Sequence, residues 1–103
     1  MQRLAKIHEM LIQEPEDSFL NYALALEYAK TANLKKAIEL IENVLKRDEN
    51  YLGAYFQLGK FYEQIGDFQK AAIIYNKGIL IAQKKKDNKT LAELSEALIM
   101  IED

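Results

Sequence analysis

Side chains able to do covalent or acid–base chemistry are few in this chain and poorly spaced for it. His8 is the sole histidine, cysteine is absent, and Ser18 and Ser95 have no base near them in sequence, so a nucleophilic triad or a thiolate metal site lacks members. Glycine-rich phosphate loops and paired-histidine motifs are missing as well. Carboxylates are plentiful, but pairs such as Glu39 and Glu42 have the spacing of a solvated helical face. Lys84-Lys85-Lys86 with Lys89 could touch phosphates. Asp87 interrupts that cluster and no aromatic stands beside it for stacking, which favours a solvated helix end over a nucleic-acid site. The expectation is a chain that is not an enzyme, that needs no cofactor or metal, and that binds no nucleic acid.

Composition agrees with a binding or structural role. With 103 residues there is room for one domain, 1–103, and 50% apolar with 29% charged residues suits a modest core under a solvated exterior. A net charge of −2 gives no global attraction to nucleic acid or anionic membrane. The opening segment from Met1 to Met10 mixes charges into its apolar positions, unlike a secretory signal. No apolar run approaches the roughly 18 residues of a membrane span. A cytoplasmic protein is expected, in keeping with the lack of cysteine.

The elements that would position any site are helices. Leu4, Ile7, Met10 and Leu11 recur at helical spacing through Gln2–Gln13, and Pro15 stops that helix because the residue before a proline is pushed out of helical angles. Asp17 or Ser18 then caps a helix to about Lys30, and Asn33 is the expected cap of a third, Leu34 to about Arg47. A fourth covers roughly Tyr51–Gln64, Gly66-Asp67 makes the next turn and cap, and a long fifth helix runs from Phe68 to about Lys85. Asp87-Asn88 breaks the pattern before Leu91, Leu94, Leu98 and Ile101 mark a sixth. No alternation of apolar and polar residues persists for a strand's length.

These helices repeat. Shifted by 34 residues, Leu24 falls on Leu58, Ala25 on Gly59, Tyr28 on Tyr62, Lys36 on Lys70 and Ala37 on Ala71. Tyr55, Leu58, Gly59, Tyr62, Gly66, Ala71, Tyr75 and Gly78 in the second copy resemble the signature of the tetratricopeptide repeat family, and Leu24, Ala25, Tyr28, Ala32, Ala37, Ile41 and Val44 carry it in the first. Asn21 departs from it where a bulky aromatic is usual, as do Glu49 and Gln83 where the family commonly has proline. The resemblance implies an all-α, right-handed helical-hairpin solenoid of about six antiparallel helices. It would comprise a flanking helix in 1–14, repeats over 18–50 and 51–86, and a capping helix over 88–103. Each hairpin would cross closely where side chains are small, with Ala25 facing Ala37 and Gly59 facing Ala71.

In the family that the chain resembles, the first helices of the repeats line a concave groove for peptides or partner helices. On a helical wheel Leu20, Leu24 and Tyr28 point to the hairpin partner, whereas Phe19, Tyr22, Ala23 and Leu26 form a second apolar face. Phe56, Gln57 and Lys60 continue it one repeat later. These seven residues are the candidate partner-binding groove, with packing inside the stack or self-association as the other uses of the same face. The family's carboxylate clamp for acidic chaperone tails is not expected: Tyr22, Leu26, Gln57, Lys89 and Glu93 occupy its positions, only Lys89 matches in type, and Glu93 would repel a carboxylate. Ile99 and Met100 turn away from the helix that Leu91, Leu94, Leu98 and Ile101 would meet, and form a candidate surface for a weak homodimer. Two functions follow from this reading: a protein-interaction module holding a peptide or helix of a partner protein, or an assembly role through self-association.

Overall fold

The computed structural model describes residues 2–102. Among them are six helices and no strand, in the order α1 (Gln2–Gln13), α2 (Ser18–Lys30), α3 (Leu34–Arg47), α4 (Leu52–Gln64), α5 (Phe68–Lys85) and α6 (Asn88–Glu102). The chain is all-α. It forms two compact units, Met1–Glu49 and Asn50–Asp103, divided next to the boundary between the two repeats.

In the first unit α2 packs along α3 and is crossed by α1. Asp17 starts α2, its Oδ1 accepting the Leu20 backbone N–H at 2.8 Å. Asn21 explains its own departure from the aromatic usual at that place. The side chain is buried, and its amide donates to the carbonyls of Pro15 at 3.0 Å and Asp17 at 2.9 Å, tying the proline joint onto α2. The core includes Ile7 from α1, Leu20, Ala23, Leu24 and Ala25 from α2, and Ala37, Ile38, Ile41 and Val44 from α3.

The second unit packs α5 against both α4 and α6. Tyr55, Leu58 and Tyr62 of α4, Ala71, Tyr75 and Ala82 of α5, and Leu94 and Ala97 of α6 form its core. The small residues expected at the hairpin crossings are all buried, and Ala25, Ala37 and Ala71 are 0% exposed. At Gly59, however, the atoms nearest the missing Cβ belong to the Tyr75 ring and not to Ala71, the small residue expected opposite it. Tyr75 lies one turn further along α5, and its ring is long enough to reach back over the bare glycine. A Cβ at Gly78 would stand 2.7 Å from Tyr55 Cβ and 2.8 Å from Leu94 Cδ1, so that glycine lets α4 and α6 close on α5 together.

One device ends α2, α4 and α5. A left-handed residue follows each: Ala32 (φ 62°), Gly66 (φ 83°) and Lys86 (φ 57°). The next N–H returns to a carbonyl in the last turn, Asn33 to Tyr28 at 3.0 Å, Asp67 to Tyr62 at 2.9 Å and Asp87 to Ala82 at 3.0 Å. Asp67 then caps α5 through the Lys70 N–H at 3.1 Å, whereas Asn33, its counterpart, makes no side-chain cap hydrogen bond, contrary to expectation. A carboxylate is drawn to the positive helix end more strongly than a neutral amide.

Asp87 caps α6 most fully, accepting the Thr90 backbone N–H at 3.1 Å and its hydroxyl at 2.9 Å. Those two bonds, the backbone one first, hold its carboxyl below the usual carboxylate range. Such a group stabilises the fold above its unfolded value, and the contribution disappears as pH falls through the depressed folded value. Asp87→Ala should therefore lower the melting temperature at neutral pH, with the gap to wild type closing on acidification. A gap that is the same at every pH would show that the carboxylate charge plays no part in the cap.

Candidate functional site

In the first unit α2 is apolar on nearly all sides, and its neighbours cover only part of it. Ile7 of α1 packs with Ala23 and Leu24, with Leu4, Leu11, Tyr28 and Leu40 around them. Ala23 is thereby only 4% exposed, so it belongs to the core and not to the binding face where the wheel put it. The reason is α1, which lies across α2 at that point. Phe19 remains 61% exposed, and Tyr22 and Leu26 are half-buried.

Beside Phe19 a cleft of about 420 Å³ opens between α1 and α2, lined by Arg3, Lys6, Ile7, Met10, Phe19, Leu20 and Ala23. Its floor is apolar and its rim cationic. Arg3 Nε pairs with Glu27 Oε2 at 3.2 Å, and Lys30 Nζ holds the same oxygen at 3.1 Å. Sequence reasoning assigned no role to this cleft. The signal was present in Arg3, Lys6, Ile7 and Met10, which share one face of α1 at spacings of three and four.

The corresponding stretch of α4 in the second unit has Phe56, Gln57 and Lys60, all half-buried. The Lys60 ammonium sits 5.3 Å from the Phe56 ring centroid and 3.7 Å from Glu63 Oε2. Phe56 in turn lies 6.5 Å from the Tyr75 ring, tilted by 43°. The Tyr75 hydroxyl donates to Glu63 Oε2 at 2.5 Å. Burial foremost, then the Glu63 hydrogen bond and charge, push the Tyr75 phenol far above its ordinary range, so it stays a neutral donor. Phe56 and Lys60 are thus braced from beneath by a buried tyrosine and a carboxylate.

On α6, Leu94 and Ala97 face the core while Ile99 is 66% and Met100 73% exposed. Glu93, Glu96 and Glu102 are exposed on the same helix. His8 is exposed too, and among the described residues no group of three or more His, Asp or Glu side chains could hold a metal ion. No helix among them is long and apolar enough to cross a membrane.

Paired helices repeating at a fixed offset, with glycines under aromatic rings and capped left-handed turns, define a helical-hairpin repeat protein. Residues 28–98 match the tetratricopeptide repeat family model, and the chain belongs to the tetratricopeptide repeat family. It is 27% identical over 84 residues to a TPR repeat-containing protein of Methanocaldococcus jannaschii, a match covering 82% of this chain and 26% of that protein. The chain therefore spans about a quarter of that relative's length. It superposes on the crystal structure of a tetratricopeptide repeat domain protein from Salinibacter ruber with a TM-score of 0.78 and 37% identity, covering 84% of this chain and 96% of that one. The solution structure of a Bordetella parapertussis protein gives a TM-score of 0.83 at 26% identity, covering 95% and 85%. Proteins of this family generally mediate protein–protein interactions and act as scaffolds without catalysis.

Proposed function

We propose that the chain is a small adaptor, working in the cytoplasm, that takes a peptide or helix of a partner protein against the open face of α2, with the open face of α4 as a second such surface in the other unit. The observation that supports this is the apolar surface of α2 that α1 and α3 leave uncovered: Phe19 exposed, with Tyr22 and Leu26 half-buried beside it. A rigid aromatic on a packed helix is a low-entropy anchor for a partner's apolar side chain. On α4 the equivalent anchor is Phe56, and Gln57 supplies a hydrogen-bonding amide next to it. Lys60 already rests on Phe56 and Glu63, so its main service is to orient the ring and lend positive charge.

Partners captured from the native host by the wild type, by Leu26→Glu and by Phe56→Ala, and identified by mass spectrometry, test this reading. Each variant is first checked for helicity and melting temperature. Leu26→Glu should lose the partners outright, Phe56→Ala should lose most of them, and Lys60→Ala should weaken capture modestly and in a salt-dependent way. If the folded Leu26→Glu and Phe56→Ala proteins retain the wild-type partners, these faces are idle surface. A separate role in self-assembly is favoured by one specific observation, the exposure of Ile99 and Met100.

A further inference from the structure

The α1–α2 cleft and the outer face of α6 complement each other in both polarity and charge. The cleft offers an apolar floor of Ile7, Met10 and Phe19 with Arg3 and Lys6 at its rim, and Met10 and Phe19 are 54% and 61% exposed. Arg3 is partly neutralised by Glu27, whereas Lys6 makes no ion pair among the described residues. On α6, Glu96 falls one turn before Ile99 and Met100 on the same face, and Glu93 and Glu102 stand on either side along the helix. Lys89, the one cation of this face, is two turns back from Glu96 at the far end of the helix.

From this match we infer that the occupant of the cleft is the α6 face of a second copy of this chain. Ile99 and Met100 enter the apolar floor, and Glu96 with its neighbouring glutamates meets Lys6 and Arg3. The contact joins different surfaces on the two copies: where both pairs form at once about a two-fold axis it closes as a dimer, and otherwise each molecule keeps one free cleft and one free α6 and growth continues until a ring closes. Self-pairing of two α6 faces would instead set glutamate against glutamate. The inference shares Phe19 with the peptide-binding reading but is tested apart from it, because Lys6 and Met10 on α1 and the outer face of α6 are not employed by that reading.

Sedimentation or light scattering of the full chain over a concentration series tests it directly. The mass should rise above the monomer, and the apparent dissociation constant should increase by about tenfold or more in Lys6→Glu/Met10→Glu and in Ile99→Glu/Met100→Lys, each substitution being at an exposed site. Raising the salt should weaken association of the wild type. The deciding measurement mixes the two double variants, one with a dead cleft and a working α6, the other the reverse. They should form a one-to-one complex that grows no further. A wild type that stays monomeric at millimolar concentration, a mass that stops at the dimer with no complementation, or association abolished by Ile73→Glu/Leu80→Glu, which alters two exposed apolar residues of α5, but not by the α1 variant would each overturn the assignment.

Discussion

Replacing Gly59 by alanine should destabilise the second unit by roughly 1–3 kcal/mol, the usual cost of forcing extra carbon into a packed core. Taken alone the substitution ought to help, since alanine is better than glycine inside a helix by about 1 kcal/mol. Packing decides the sign. The new Cβ would overlap the Tyr75 ring, and that ring cannot swing aside: Tyr75 is 0% exposed and its hydroxyl is bonded to Glu63. The helices must separate instead, loosening α4 from α5. Gly59→Leu should do the same more severely, and chemical denaturation measures both. An alanine variant as stable as wild type would mean that the ring and the backbone are less closely fitted than the geometry requires.

A larger loss is expected from Tyr75→Ala, about 3–5 kcal/mol, because removing a fully buried aromatic forfeits its contacts and leaves a cavity. Tyr75→Phe keeps the ring and should cost about 1.5–3 kcal/mol for the lost bond to a charged acceptor. Combining these with Gly59→Ala makes the fit itself measurable. In the Tyr75→Ala background the overlap is gone, so Gly59→Ala should become neutral or stabilising, whereas in the Tyr75→Phe background it should remain as harmful as in wild type. Simple additivity in the first pair would place the cost of the alanine somewhere other than Tyr75. Alkaline pH supplies a second check. Because the folded state holds the Tyr75 proton more tightly than the unfolded chain, stability is full below the ordinary tyrosine range and falls as pH rises above it. Tyr75→Phe should flatten that decline.

The two predictions rest on a contact that no local reading found, though the elements carrying it were legible. Helix limits depend on neighbours within a turn: apolar spacing, the break at Pro15, and the carboxylates of Asp17, Asp67 and Asp87 on N–H groups three residues ahead. These are short-range effects, so the sequence by itself determined the six helices, and the 34-residue self-match determined that they pair as repeats. It also marked Ala25, Ala37, Gly59 and Ala71 as places of close approach.

Which side chain fills each close approach was decided by the tertiary structure. Small residues mark where two helices approach but not which longer side chain reaches into the gap, and the Tyr75 ring lies nearest Gly59, where Ala71 was expected. The same limit governs the candidate site. Phe19, Tyr22, Leu26, Phe56, Gln57 and Lys60 were proposed from the excess of apolar surface on α2 and its register with α4, yet Ala23 on the same face is buried because α1 crosses there. Nor did the sequence show that Lys60, Phe56, Tyr75 and Glu63 form one braced group, or that Arg3, Lys6 and Met10 border a cleft with Phe19. Periodicity identifies the face that a helix can bury, and the crossing point of a second helix, set by packing between distant segments, decides how much of that face remains open to a partner.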